Sequence, residues 1–331
     1  MGLPPERRRQ LQQLGLRALL KRKFGAEVAD TAAAVPFSAG AAVIAGDLAA
    51  VFADAESALG SAVDVAVAHG AGRLCFFSEH NTPDTARRAV EFRLDVAVID
   101  PEGDFATLEP APVPDVGAMP EQLGADAARM RSAGLDVVWE RGILKGEWLG
   151  LEVARVGADG FEVGVGRHDR AANRELYPDG PPDAFLDQAV ATVRELRRPG
   201  APIHPANQLA PERWLRTVAV RRPSIVGVEA LHPGAAPVDR ADLRERAVAP
   251  AWADGMVVVF SVGVDPDVVP QAADSRVQAR LWPGGPGPAV TRLTVVVPEG
   301  DDHPLTRRLA GLLRHPAEVR TVPAGWRGFA P

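Results

Sequence analysis

Apolar and polar residues alternate most cleanly between Glu147 and Arg170, where EWLGLEVARV and FEVGVGRHDR flank a Gly-Ala-Asp-Gly turn. Leu149, Leu151 and Val153, then Phe161, Val163 and Val165, recur at every second position, the period of a strand with one buried face. The pattern predicts a hairpin with strands 149–156 and 160–166. Upstream, it gives strands 41–45 and 48–53 around Gly46-Asp47, a helix 56–69 ending at Gly70, and a strand 73–78. Thr82-Pro83 supplies an N-cap and a first-turn proline for the next helix, and strands 94–99 and 105–108 follow. A helix 121–133 and a strand 135–140 lead into the hairpin. Beyond it, helix 182–198 has Phe185, Leu186, Ala189, Val193 and Leu196 at helical spacing. A second helix starts near Pro211 with Trp214, Leu215 and Val218 on one face. A strand 225–231 and an irregular connection 233–254 come next.

The last third alternates strand 256–262, helix 266–280, strand 293–297, helix 304–314 and strand 319–322. Near-continuous apolar strands separated by helices point to a buried, largely parallel sheet. At the start of the chain, Pro4 and Pro5 precede a helix whose inward face would carry Leu11, Leu14 and Ala18. No internal repeat is visible. The expected fold is α/β: a small N-terminal α/β domain plus a larger domain with a mixed, partly parallel sheet flanked by helices. Its divisions are a basic helical arm 1–30, the small domain 31–109, a proline-rich linker 110–120, the larger domain 121–323 and a tail 324–331.

Charge changes this picture at one end. The chain of 331 residues has a net charge of −6, yet residues 1–25 carry Arg7, Arg8, Arg9, Arg17, Lys21, Arg22 and Lys23 against Glu6 alone. Such an arm either docks on the acidic remainder or stays solvated, or it meets phosphates or acidic lipid. A lone cysteine, Cys75, rules out an intramolecular disulfide and sits in an apolar run that suits a buried thiol. The apolar segment 14–20 is too short for a secretory signal, and 31–46 is too broken by Pro36 and Gly40 to span a bilayer. A cytoplasmic protein, away from membranes, is expected.

No phosphate loop, nucleophile elbow, dinucleotide fingerprint or H-e-x-x-h zinc motif occurs. The order helix 121–133, strand 135–140, hairpin, helix 182–198 resembles the core of the restriction-endonuclease-like PD-(D/E)xK nucleases. That resemblance implies carboxylates on the second and third strands holding Mg²⁺ beside a phosphodiester, with a lysine nearby. Glu152 and Glu162 match the acids. Gly164 stands where the lysine belongs, and Lys145, just before the hairpin, is the substitute. The alternative places both glutamates on a solvent face, paired with Arg155 or Arg167.

Two further candidates stand beside this one. Acidic turns follow two expected parallel strands, with Asp265 and Asp267 in one and Asp301 and Asp302 in the other. They suit either a divalent cation or the capping of the helices that follow. Arg197, Arg198, Arg213 and Arg216 lie in a locally basic region that, with Arg7, Arg8, Arg9, Lys21, Arg22 and Lys23, would track a phosphate backbone. The runs LGLEVARV, HPANQLAPERWLR and VGVDPDVVPQAADSR resemble uncharacterised proteins of high-GC actinobacteria, a resemblance that implies no activity. The leading expectation is a nucleic-acid-associated protein of nuclease-like fold. The alternatives are a protein-interaction scaffold and a small-molecule enzyme built on the acidic turns.

Overall fold

Helix α1 (Pro5–Phe24) turns Leu16 and Leu20 into the first hydrophobic core, so the basic arm is docked on its own chain through an apolar stripe. The stripe runs Gln13, Leu16, Leu20, Phe24 at spacings of three and four. Leu11, Leu14 and Ala18, expected to face inward, are exposed because they lie off it. The structure, a computed structural model, describes residues 4–54, 58–78, 82–100, 106–114, 117–157, 160–179, 181–201, 204–238, 243–281 and 286–329.

After α2 (Ala26–Thr31) come β1 (Ala33–Val35), β2 (Gly40–Ala45), β3 (Leu48–Ala53), α3 (Leu59–Ala68), β4 (Arg73–Ser78), α4 (Pro83–Ala89) and β5 (Asp95–Ile99). The five strands form one sheet in chain order, antiparallel from β1 to β3 and parallel from β3 to β5. The Thr82 hydroxyl accepts from the Thr85 N–H and caps α4, as the Thr-Pro pair predicts. Residues 56 and 57 of the expected helix and Phe105 of the expected strand lie outside the described residues. Thr107 bridges Ile99.

The second sheet is a four-stranded antiparallel meander. Helix α5 (Gly124–Ser132) leads to β6 (Asp136–Glu140), β7 (Ile143–Trp148), β8 (Leu151–Gly157) and β9 (Gly160–Val163). Helices α6 (Gly166–Leu176) and α7 (Asp183–Leu196) follow. Strand β7 was not expected, so Glu152 and Glu162 stand on the third and fourth strands rather than the second and third. Ala158 and Asp159 of the predicted turn lie outside the described residues, and the strands close on it at Gly157 and Gly160. Helix α6 begins where a strand was expected to end.

Helix α8 (Pro211–Arg221) precedes the third sheet, made of β10 (His232–Pro233), β11 (Ala249–Ala253), β12 (Met256–Phe260), β13 (Arg292–Pro298) and β14 (Glu318–Val322). Helix α9 (Val268–Leu281) connects β12 to β13, and α10 (Pro304–Leu312) connects β13 to β14. Where a strand 225–231 was expected, the chain makes a 3₁₀ turn, Pro223–Val226, and Gly227 takes a φ of 72°. Proline at its start and a left-handed glycine at its end are incompatible with a strand there. The third sheet is antiparallel from β10 to β12 and parallel from β12 to β14, the same order and directions as the first.

The chain divides into two units. One comprises Met1–Pro112, Asp265–Asp274 and His303–Ala317; the other comprises Val113–Val264, Ser275–Asp302 and Glu318–Pro331. The second unit contains two apolar cores. Met130, Leu144, Leu151, Val153 and Val156 pack with Leu186 and Val190 of α7 on one face of the meander. Trp214, Leu215 and Val218 of α8 pack with Met256, Val258, Phe260 and Trp326 of the third sheet's region. No helix among the described residues is long and apolar enough to cross a membrane.

Candidate functional site

The other face of the meander carries charge instead of hydrocarbon. A β-bulge makes this possible. The β7–β8 register runs Lys145 to Arg155 and then Glu147 to Glu152, so β8 holds one extra residue. Val153 and Ala154 then both belong to the apolar core, and Glu152 and Arg155, three apart in sequence, both fall on the polar face with Lys145, Glu147 and Glu162. Like charges consequently stand opposite each other, Glu147 against Glu152 and Lys145 against Arg155, an arrangement that is destabilising unless other groups compensate.

The compensation comes from two helices. From α8, Arg213 donates to Glu147 at 2.5 Å and to Glu140 at 2.6 Å, and Arg216 donates to Glu147 at 3.1 Å. From α6, Arg170 donates to Glu152 at 2.8 Å and sits 3.6 Å from Glu162, while Arg174 pairs with Glu162. Within the sheet, Arg155 donates to Glu162 at 2.9 Å, and Lys145 donates to Glu140 at 2.8 Å and lies 3.9 Å from Glu152. Six cations and four carboxylates thus form one connected network. All four carboxylates are buried: Glu140 and Glu147 at 1%, Glu152 at 8% and Glu162 at 6% exposed. The expected solvent face is therefore absent, although one of its pairings, Glu162 with Arg155, is present.

Local geometry fixes these groups. Leu149 and Gly150 form the β7–β8 turn with φ of 47° and 74°, which brings it against α8. A Cβ on Gly150 would lie 2.4 Å from the Arg213 carbonyl carbon. Gly164 has a φ of 143°, and a Cβ there would approach the Arg170 nitrogen at 2.9 Å. The position where the resemblance would place a lysine is thus held for glycine by the start of α6. In α6, the i, i+3, i+4 spacing of Arg170, Asn173 and Arg174 points all three back at the meander, with Asn173 donating to the Val163 carbonyl at 2.9 Å.

Burial alone would raise the pKa of Glu140, but Arg213, Lys145 and the Ala236 N–H (2.7 Å) hold it well below the ordinary glutamate value. Burial opposes ionisation of Glu147 too, and Arg213 and Arg216 overcome it. Arg213 is raised, since its two carboxylates outweigh its own burial. Arg216 and Arg170 are lowered because desolvation prevails.

A cleft of about 520 Å³ opens beside Lys145 and Glu152. Lys145, Arg155, Arg167, Arg170 and Arg244 contribute positive charge, against Glu152 and Asp169. The first turn of α6, with exposed Arg167 and His168, forms part of its wall, so a helix N-terminus adds its partial positive charge. Glu152, Glu162 and Lys145 are therefore brought together. They do not suit Mg²⁺ as they stand: a guanidinium lies between the two glutamates and takes the lone pairs that an ion would need. Among the described residues, no three His, Cys, Asp or Glu side chains converge as a metal site.

The acidic turns have other partners. Asp265 accepts from the Asp267 N–H at 2.9 Å ahead of α9, and Asp267 accepts from the Gly60 N–H at 2.7 Å. Asp301 accepts from the Gly263 N–H at 2.7 Å, Asp302 follows it, and His303 caps α10 through the Leu305 N–H. The arginine-rich region splits. Arg213 and Arg216 are buried against carboxylates because α8 is enclosed on nearly all sides, and Arg197, at the end of α7, is buried against the Ala210 carbonyl and Trp214. Arg198 is exposed beside Glu195. On α1, Arg7, Arg8, Arg9, Lys21 and Arg22 are exposed and Lys23 is half-buried. Sequence reasoning missed Glu140, Arg170 and Arg174 as site residues; the RxxxR spacing after Gly166 was the available signal. Compared with known proteins, the chain matches no family model, no curated protein and no solved structure.

Proposed function

We propose that the second unit binds a small phosphate-bearing ligand in the cleft at the start of α6. The carrying observation is the surplus of cations around a cavity of about 520 Å³, a size suited to a small molecule. Arg170 is locked by Glu152, Arg155 by Glu162 and Lys145 by Glu140, so their remaining donors are held in place before any ligand arrives. Guanidinium groups and a helix N-terminus are the usual recognition elements for a phosphate dianion. Arg167, exposed at the rim, completes the ring of charge.

The convergence of Glu152, Glu162 and Lys145 supports a second reading, Mg²⁺-dependent phosphodiester hydrolysis with the two glutamates as ligands. It requires Arg170 to give up both carboxylates. Calorimetric titration of the full chain with inorganic pyrophosphate at low ionic strength, and separately with Mg²⁺, divides the two. Binding that weakens about tenfold in Arg167→Ala and falls with salt supports the anion cleft. No pyrophosphate binding at low salt overturns it. A Mg²⁺ heat that vanishes in Glu162→Gln moves the assignment to hydrolysis.

A further inference from the structure

A second cavity in the same unit, of about 320 Å³, is lined by Arg198, His204, Asn207, Gln208, Trp214 and Arg327, with no carboxylate in its wall among the described residues. It shares no residue with the cleft at α6. Its chemistry is uniform in sign. His204 accepts the Ala206 N–H at Nδ1 at 3.2 Å, which leaves Nε2 as the protonated nitrogen of the neutral ring. Arg198, just past the end of α7, is exposed and pairs with Glu195 at 3.3 Å.

Around Trp214 two guanidiniums lie against indole rings. Arg327 lies 4.2 Å from the Trp326 ring centre and 5.6 Å from that of Trp214. Arg197 lies 4.7 Å from the Trp214 ring centre. Arg197, outside the cavity's lining, is fully buried; its Nη2 donates to the Ala210 carbonyl at 3.1 Å, and among the described residues Nε and Nη1 have no acceptor. Buried N–H groups without acceptors are uncommon in folded proteins and call for an explanation such as a bound molecule or ion. Burial lowers the pKa of Arg197 to about 9 and lowers that of Arg327 as well, with Asp301 the opposing charge for the latter. Carboxylates oppose both guanidiniums at a distance, Glu212 and Glu147 at Arg197 and Asp301 at Arg327, so the charge offered to the cavity is that of Arg198 and Arg327 in its wall.

We propose that this cavity is a second binding site, for an organic oxyanion of mononucleotide size. The volume exceeds that of a bare ion. The carboxamides of Asn207 and Gln208 offer both donors and acceptors, so the ligand is one with a hydrogen-bonding polar group attached to its anionic end. Arg198 and Arg327 meet the oxyanion, and the His204 N–H serves the same end. The site is independent of the cleft at α6.

Adenosine 5′-monophosphate, adenosine and inorganic phosphate are suitable probes, read by calorimetry and by the fluorescence of Trp214 and Trp326 at low ionic strength. The background is full-length Arg167→Ala, which weakens the first cleft by changing an exposed side chain. Adenosine 5′-monophosphate should bind there and alter tryptophan emission, and adenosine should not. Inorganic phosphate should bind more weakly than the nucleotide. Arg198→Ala and Arg327→Gln should each weaken the nucleotide about tenfold, with circular dichroism unchanged. Arg198 is exposed, so its variant stays informative if Arg327→Gln disturbs folding. Absence of nucleotide binding, or binding that neither variant moves, overturns the proposal.

Discussion

The meander's polar face carries two groups of glutamates with different environments. Glu140 and Glu147 meet Arg213 and Arg216 beneath α8 and are sealed. Glu152 and Glu162 meet Arg170, Arg155 and Arg174, and the cleft at α6 opens beside Glu152. The ion pairs are alike in chemistry but not in access to water. In the sealed group no water replaces a lost partner, so each charge depends on the others. In the open group the carboxylates are buried but Arg155 and Arg174 reach solvent, which screens their side of the pairs. Lys145, bonded to Glu140 and 3.9 Å from Glu152, joins the two. On the proposed reading, enclosure more than residue type separates a structural ion cluster from one that binds a ligand.

Removing the central cation of the sealed group should have the largest effect. Arg213→Met leaves Glu140 and Glu147 buried with fewer partners and is expected to cost about 3–5 kcal/mol in denaturant unfolding. A loss below about 1 kcal/mol, the range of exposed pairs, would erase the distinction between the groups.

Acid sharpens the same contrast. The folded-state pKa values of Glu140 and Glu147 lie below the ordinary value of 4.5. Their contribution to stability is therefore complete above that value and is lost as pH falls through the lower folded-state values. In Arg213→Met the carboxylates protonate more readily, which relieves the unpaired buried charge. The stability gap between the variant and the natural chain should thus be widest near neutrality and shrink below about pH 4.5. Urea unfolding of both proteins across this range measures it. A gap that stays constant down to about pH 3 would mean that the glutamates do not carry the cost.

Much of the architecture was legible because apolar periodicity reports burial against hydrocarbon. The α/β class, strand β4 and the alternating elements after Met256 follow from it, and the Thr82-Pro83 pair marks the capped start of α4. The polar sheet face was not legible for the same reason. Strand β7, Ile-Leu-Lys-Gly-Glu-Trp, buries charge on one side and so lacks the signature of a half-buried strand. The bulge at Val153 and Ala154 shifts the alternation, and no sequence rule places Glu152 and Arg155 on one face. The repeated strand arrangement also escaped notice. Leu-Ala-Ala-Val-Phe-Ala in β3 and Met-Val-Val-Val-Phe in β12 occupy equivalent places. The preceding strand β11, Ala-Pro-Ala-Trp-Ala, offers neither alternation nor a long apolar run. The cleft emerged only when α6 folded back on the meander and aimed Arg170 and Arg174 at glutamates from two strands.

The smallest expected effect is on the open side. Arg155 is about a third exposed and shares Glu162 with Arg170 and Arg174, so Arg155→Met leaves that carboxylate with two cations. Its cost in unfolding should be about 0.2–1 kcal/mol, as for an exposed pair, because Glu162 stays buried with Arg170 and Arg174 still beside it. Pyrophosphate affinity should fall in the same variant, because Arg155 lines the cleft. The pairing of a small stability change with a clear binding change is what the open group predicts and the sealed group does not. If Arg155→Met instead destabilises the protein as much as Arg213→Met does, the whole face is one structural cluster, and the cleft's charge belongs to the fold rather than to a ligand.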